Sequence, residues 1–421
     1  MNILYKNAIV VTQNSQREII EKGYIVVRDE YIIEIGSGLP DEQGYDEVVN
    51  LEGKWLLPGF VNSHVHLGES VYLPFINEKL TLSGYLNKTE DVYASSEEIR
   101  NKRDVVCKFS LFQLMLNGVT TVGGGRVSKI AGELFMPNTS GYMLMDSAKL
   151  GHFTKNAFEN FSRLKSEEKN LLTQHCIFIH SLSRAGNAEL DTVNRLKQEI
   201  QNLIVMIHVE EDDVENTNVR EKWGVSSIDV LKENKILDNN TFLIHGNHLT
   251  DSDFDTISES GATVCHCLTS NLTVADRVLD ISKVIDRGIN LVVATDGPIT
   301  GAGFNLLNEI RKVYQYQNRF SSVERVSPQL CLDMITNNAA KAIGLSELSG
   351  SVEVGKLANF VVVNPPFEVN PHEVIKILIR YELTTVSGVV MNGKRIVWDK
   401  KLLLRDWPKI QLDFSSLINS M

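Results

Sequence analysis

Residues 56–66 read Leu56-Leu57-Pro58-Gly59-Phe60-Val61-Asn62-Ser63-His64-Val65-His66. An apolar run meets Pro58-Gly59, resumes as Phe60-Val61, and ends in two histidines one residue apart. If Phe60–His66 is a strand, period-two alternation sends both imidazoles to one face. Two neutral imidazoles aimed one way can share a metal ion, at nitrogen–metal distances of about 2.0–2.1 Å. A His-x-His pair standing alone is more often two hydrogen-bonded core histidines. The reading therefore turns on whether later strand ends supply further ligands.

Downstream of residue 58 the pattern is strand then helix. Short apolar runs recur at 118–122, 142–145, 176–180, 203–208, 241–245, 262–266 and 291–296. Helical stretches are expected at about 95–116, 187–200, 226–234, 251–259 and 276–287. Continuous apolar strands alternating with helices indicate a parallel sheet covered on both faces. With Phe60–His66 there are eight such runs, which predicts a closed (β/α)8 barrel, the TIM-barrel form of the α/β class. Catalytic groups of that fold sit at the C-terminal strand ends. Here those ends carry His64 and His66, then His180, His208, His245, His266 and Asp296. Each alone reads as a rim or core residue. Six of the ten histidines plus an aspartate, all closing apolar runs, point to a metal site.

The ends of the chain read differently. Ile3–Val11, Tyr24–Val27, Tyr31–Ile35 and Glu47–Leu51 are β-like, as are Leu357–Val363 and Thr385–Val390, with a turn signal at Met391-Asn392-Gly393-Lys394. Neither end can build a core alone. Residues 1–57 and 351–421 are expected to pair as one small β-sandwich domain beside a barrel over 58–350. The 421-residue length and 43% hydrophobic content suit that arrangement. A net charge of −11 argues against a nucleic-acid partner, because affinity there comes from Lys and Arg. No apolar run is long enough for a membrane span, and the first ten residues lack a signal-peptide pattern. A cytoplasmic protein is expected. Cys107, Cys176, Cys265, Cys267 and Cys331 read as reduced core thiols. Alternation would send His266 to the face opposite the Cys265 and Cys267 thiols.

The motif set resembles the amidohydrolase superfamily. The resemblance rests on Pro58–His66, the His208-x-x-Glu211 pair, His245 and Thr295-Asp296-Gly297, supported by 117–122, 266–272, 338–345 and 350–359. Asn359 stands where the family usually has Asp. The branch it resembles includes atrazine chlorohydrolase and the guanine, methylthioadenosine/S-adenosylhomocysteine and aminofutalosine deaminases. That resemblance implies one divalent ion held by His64, His66, His208 and Asp296, Zn2+ first and Fe2+ as the alternative. His180 stands where two-metal members carry a bridging lysine or glutamate, which favours a single ion. Glu211 would shuttle protons to a ring nitrogen, His245 would hydrogen-bond the attacking oxygen, and Asp296 would take the water's proton. His180, His266, Glu69, Arg126 and Arg184 are the candidate substrate contacts.

The expected activity is deamination of a small N-heterocycle of purine, pteridine or pyrimidine type by metal-activated hydroxide. Hydrolysis of a cyclic amide or of a chloro or alkylamino heterocycle is the alternative, as is a non-catalytic metal-binding relative. Glu211 lies in the run Glu210-Glu211-Asp212-Asp213, which also reads as a solvated helix start. A homodimer is expected by analogy with relatives.

Overall fold

The computed structural model describes residues 1–76, 80–124, 128–145, 172–301, 303–319 and 324–421. Five strands come first: β1 (Asn2–Val11), β2 (Ile19–Arg28), β3 (Tyr31–Ser37), β4 (Glu47–Asn50) and β5 (Trp55–Pro58). The barrel follows with β6 (Phe60–Asn62), β7 (Val119–Val122), β8 (Asn138–Leu144), β9 (Thr173–Ile179), β10 (Ile204–Val209), β11 (Thr241–His245), β12 (Thr263–His266) and β13 (Asn290–Val293). These eight stand in sequence order, each parallel to its neighbour. Nearly every strand residue is buried, including all six of β10 and all five of β11. Coverage on both faces explains why the sequence shows continuous apolar runs there instead of alternation.

The first and last barrel strands are joined by side chains. Asn62 Nδ2 donates to Thr295 Oγ1 at 2.7 Å, and Asn62 Oδ1 accepts from Thr295 N at 3.2 Å. A parallel bridge between Val65 and Asp296 continues the contact. Closure thus falls next to His64, His66 and Asp296. Inside the barrel, Val61, Phe178, Met206, Phe242, Ile244, Cys265 and Val292 form one apolar cluster. Neighbours one residue out of phase, such as Ile207, Leu243 and Val264, join the cluster under the helices. At Gly141 on β8 a Cβ would stand 1.6 Å from the Cys176 carbonyl oxygen, so only glycine lets β8 and β9 approach this closely.

The terminal sheet closes with β14 (Phe360–Asn364), β15 (Thr385–Met391), β16 (Lys394–Trp398) and β17 (Lys401–Leu402). Its order is β17-β16-β15-β14-β5-β1-β2-β3, with β4 paired to β1. Both ends of the chain therefore build one sheet, with β5 parallel to β1 and antiparallel to β14. Leu56 on β5 packs in the sheet's own core, whereas Trp55 and Leu57 pack with the barrel cluster. Asn359 Oδ1 accepts from Asn392 N at 2.7 Å, a bond an aspartate could make equally well.

Several helices differ from expectation. The stretch 95–116 is not one helix: it divides into the end of Leu82–Ser95, then Glu97–Asn101 and Arg103–Leu116. Ser96 breaks it, capping the middle piece by accepting from Ile99 N at 3.2 Å. The segment after the His-x-His pair is a 3-10 helix, Leu67–Phe75, followed by Leu82–Ser95. The C-terminal part contains two helices, Val374–Arg380 and Trp407–Asn419, where strands alone were expected. Val374–Arg380 is a short buried apolar run, which periodicity cannot assign. Trp407–Asn419 packs on Arg103–Leu116, with Phe414 stacked on Phe109 at 3.9 Å between centroids. Among the described residues no helix is long and apolar enough to cross a membrane, and none of the five cysteines, all buried, is in a disulfide.

Candidate active site

Alternation along the barrel strands decides which strand-end side chains reach the mouth. Phe178, Met206 and Val292 face the interior, so His180, His208 and Asp296 lie in phase with them. His64 and His66 follow β6. The ligand atoms of His64, His66, His208 and Asp296 all lie within 4.8 Å of one another. Asp296 Oδ1 is 3.2 Å from His64 Nε2 and 3.1 Å from His66 Nε2, and His208 Nε2 is 3.3 Å from His64 Nε2. Atoms bound at about 2.0–2.2 Å to one ion stand about 2.9–3.5 Å apart, which matches these separations. No placement of protons lets one imidazole nitrogen serve both a carboxylate and a second imidazole nitrogen well, whereas a cation satisfies all four. Three imidazoles and a carboxylate fit a divalent ion.

The surroundings hold this group in place. Asp296 Oδ2 accepts from Ser270 Oγ at 2.6 Å, which turns Oδ1 toward the histidines. Phe178 forms the floor, 5.0 Å from the His208 ring in edge-to-face contact. Burial lowers His64 to about 4 against the pull of Asp296. Burial also acts to lower His66, yet Glu69 and Asp296 together raise it to about 9. For Asp296 the effect of burial is outweighed by hydrogen bonds from His64 and His66, and the carboxyl lies well below its usual range. Positive charge is thus favoured at His66, whereas burial pushes His64 and His208 toward the neutral form in which an imidazole binds a metal ion.

His245 is out of phase, because Ile244 faces the interior. Its left-handed backbone, φ 74°, breaks the alternation, and the side chain lines the metal chamber. Nδ1 of His245 faces Asn271 Oδ1 at 2.8 Å, and Nε2 faces Glu211 Oε1 at 3.5 Å. Asp296 shares this conformation, φ 59°. Backbone strain of this kind collects at functional sites.

The acidic run separates by role. Glu210, itself at φ 51°, turns to accept from Ser227 N at 3.2 Å. Asp212 caps the helix Asp213–Trp223 by accepting from Glu215 N at 2.7 Å. Glu211 alone lines the chamber. Burial, reinforced by Asp296 and Asp212, raises its carboxyl well above the usual range, which favours its protonated form.

The chamber measures about 40 Å³ and also carries Glu69 and His180. A Cβ at Gly297 would stand 1.8 Å from Glu69 Oε2, so that glycine makes room for the carboxyl. Burial lowers His180 to about 3, which keeps it neutral. Arg184 stands further out, ion-paired with Glu90. His266 stands apart from the chamber lining. It is fully buried, and its Nε2 lies 3.5 Å from Gln317 Nε2. The cause is phase: Cys265 and Cys267 take the interior positions, with their sulfurs 3.9 Å apart, and His266 faces outward. Arg126 lies outside the described residues. Two residues near the mouth went unread in the sequence, Tyr85 beside Glu69 and Arg103 on the neighbouring cavity wall. Neither closes an apolar run, so no local signal marked them.

Comparison with known proteins bears on this geometry. A model of the amidohydrolase family matches residues 152–396. A 5-methylthioadenosine/S-adenosylhomocysteine deaminase of Bacillus cereus (strain 03BB102) is 27% identical over 442 aligned positions, covering 99% of this chain and 98% of that protein. An atrazine chlorohydrolase from Arthrobacter aurescens TC1, complexed with zinc, is similar in structure with a TM-score of 0.86 at 19% identity, over 99% of this chain and 100% of the other. An adenosine deaminase from Xanthomonas campestris with bound zinc gives 0.87 at 18% identity, over 100% and 99%. The two structures share the fold. The family match spans more than half of the 421 residues, and the chain belongs to the amidohydrolase family.

Proposed function

We propose that this chain is a metal-dependent aminohydrolase that replaces an amino group on a small N-heterocycle with oxygen and releases ammonia. The observation that carries the reading is the meeting of Glu211 and His245 beside the His64–His66–His208–Asp296 group. The deaminase relative that aligns end to end supports the same chemistry.

A divalent ion held by those four residues would lower the pKa of a water from 15.7 to about 7, supplying a nucleophile at neutral pH. Zinc suits the donor set and is bound in both structural neighbours; iron(II) accepts the same ligands. In our reading Glu211, protonated at rest, gives its proton to the ring nitrogen next to the amino-bearing carbon. The negative charge that attack would place on that nitrogen is thereby removed. Asp296 accepts the water's proton, and His245 donates a hydrogen bond to the incoming oxygen. A carbon–oxygen bond forms, the carbon–nitrogen bond breaks, the proton held by Asp296 leaves with the departing ammonia, and the proton remaining on the added oxygen returns to Glu211 as the carbonyl forms. His180 and Glu69, which line the same chamber, contact the ring in this reading.

The test is ammonia release from amino-substituted purines, pteridines and pyrimidines by metal-loaded protein, with the product weighed. Deamination replaces NH2 with OH and shifts the mass by about one unit, whereas ring opening of a cyclic amide adds a whole water, about 18 units. Silence across all three ring classes in stoichiometrically loaded protein would defeat the reading.

A further inference from the structure

A cavity of about 260 Å³ lies away from the metal group, where the barrel helices meet the terminal sheet. It shares no lining residue with the metal chamber. One wall is the first turn of the helix Leu306–Asn318, another is the end of Arg103–Leu116, and a third is the chain entering β15.

Arg311 sets the character of this cavity. Its side chain is 3% exposed, yet its hydrogen-bond partners among the described residues are all neutral. Nε donates to Leu378 O at 3.0 Å, Nη1 to Asn308 Oδ1 at 3.1 Å, and Nη2 to Thr384 Oγ1 at 2.5 Å. Other arginines find a carboxylate: Arg17 pairs with Asp333 at 2.8 Å, Arg395 with Glu47 at 2.7 Å, and Arg184 with Glu90. Burial works against the charge on Arg311. The acid that acts in its favour, Glu382, is exposed at the rim and is not hydrogen-bonded to it. A buried charge is ordinarily paired, so a guanidinium held only by neutral acceptors lacks a counter-ion.

The other polar groups of the lining have protons to offer. Asn308 Oδ1 is taken by Arg311, and Asn305 Oδ1 accepts from Asn308 N at 3.0 Å. Both side-chain NH2 groups are left without a bond among the described residues. The Thr384 oxygen accepts from Arg311, so its hydroxyl proton is left to donate. Thr385 brings a second hydroxyl at the rim. Asn305 is also the N-cap of Leu306–Asn318, which sets the positive end of the helix dipole at this wall. A buried cation, a helix start and several spare donors thus meet in one cavity.

We propose that this cavity is a second ligand site, separate from the metal group, that takes a phosphate group, either as the free ion or on a small organic molecule. Guanidinium, amide and hydroxyl donors from two elements can serve more oxygens than the two of a carboxylate. The volume leaves room for a short polar group attached to the phosphate. The site is independent of the reaction at the metal.

Calorimetric titration of the full-length, metal-loaded protein with inorganic phosphate, glycerol phosphate and acetate tests it. One phosphate per chain is expected, with acetate about tenfold or more weaker. Tighter binding of glycerol phosphate than of phosphate supports the site with an organic phosphate as its ligand; the reverse supports it with the free ion. Two variants localise the anion. Asn308→Asp keeps an oxygen for Arg311 and replaces the spare amide with a negative charge, so phosphate affinity should fall about tenfold or more while the urea midpoint stays near wild type. Glu382→Gln, at an exposed position, removes the acid of the rim and should tighten phosphate a few-fold. Absence of phosphate binding at millimolar concentration overturns the proposal. So does unchanged phosphate affinity in either variant, which would place the anion elsewhere, the metal ion included. Acetate binding as tightly as phosphate overturns the phosphate assignment.

Discussion

The terminal sheet and the barrel mouth treat their charges in opposite ways. In the sheet, ionisable groups pair at the surface: Met1 with Asp29 at 2.5 Å, Tyr24 with Glu34 at 2.6 Å, Arg395 with both oxygens of Glu47 at 2.7 and 2.8 Å. In the mouth, Glu211 and Glu215 are more than nine-tenths buried with other carboxylates as neighbours. The first arrangement adds little to stability but keeps the surface charged. The second destabilises the fold, and only chemistry at the site makes use of it. The contrast teaches where function lies without reference to any motif.

The comparison breaks first at Glu211. Glu211→Gln should keep the metal and lower kcat by about 10²–10⁴-fold, read as ammonia release, since a positioned proton donor contributes that much. Wild-type rates in this variant would remove Glu211 from the mechanism. Trp55→Ala, at the sheet–barrel contact, should act in the reverse sense. It should cost about 3–5 kcal/mol in urea unfolding with kcat intact, because a buried ring is lost that takes no part in the chamber lining.

Glu215 sharpens the contrast. Burial first, then Glu210, Glu211 and Asp212, raise its carboxyl well above the usual range. Above the ordinary glutamate value of about 4.3 the unfolded chain has released this proton while the folded one retains it, so stability falls as pH rises. Glu215→Gln removes that loss. The variant should be more stable than wild type at neutral pH, by an amount on the order of 1 kcal/mol, with the gap closing as pH falls toward 4. Urea midpoints along a pH series would show it; a gap that widens in acid would refute the buried-acid picture. Arg395→Ala in the sheet marks the small end, a change within about 1 kcal/mol in thermal unfolding.

Much of this was legible in the sequence because parallel barrel strands are continuous apolar runs, so the polar residue that ends each one stands out. His64, His66, His208 and Asp296 were readable in that way, and the structure brings them within 4.8 Å. His245 and His266 looked alike for the same reason, yet only His245 reaches the chamber. The difference is a left-handed backbone at His245, which a strand pattern does not encode. The helix Asp213–Trp223 was legible only as a possible start in the acidic run, because it shows little apolar periodicity, although Asp212 before it and Gly224 after it, at φ 80°, carry its caps. Arg103 was invisible for a different reason. It closes no apolar run, and its place on the cavity wall is a property of the folded chain alone.

The most direct test is the metal-to-protein ratio, measured by mass spectrometry of protein purified without chelators. Close to one divalent ion per chain is expected, retained in Glu211→Gln and lost in His208→Ala. A wild-type chain free of bound metal, or a His208→Ala variant that keeps its ion, would contradict it.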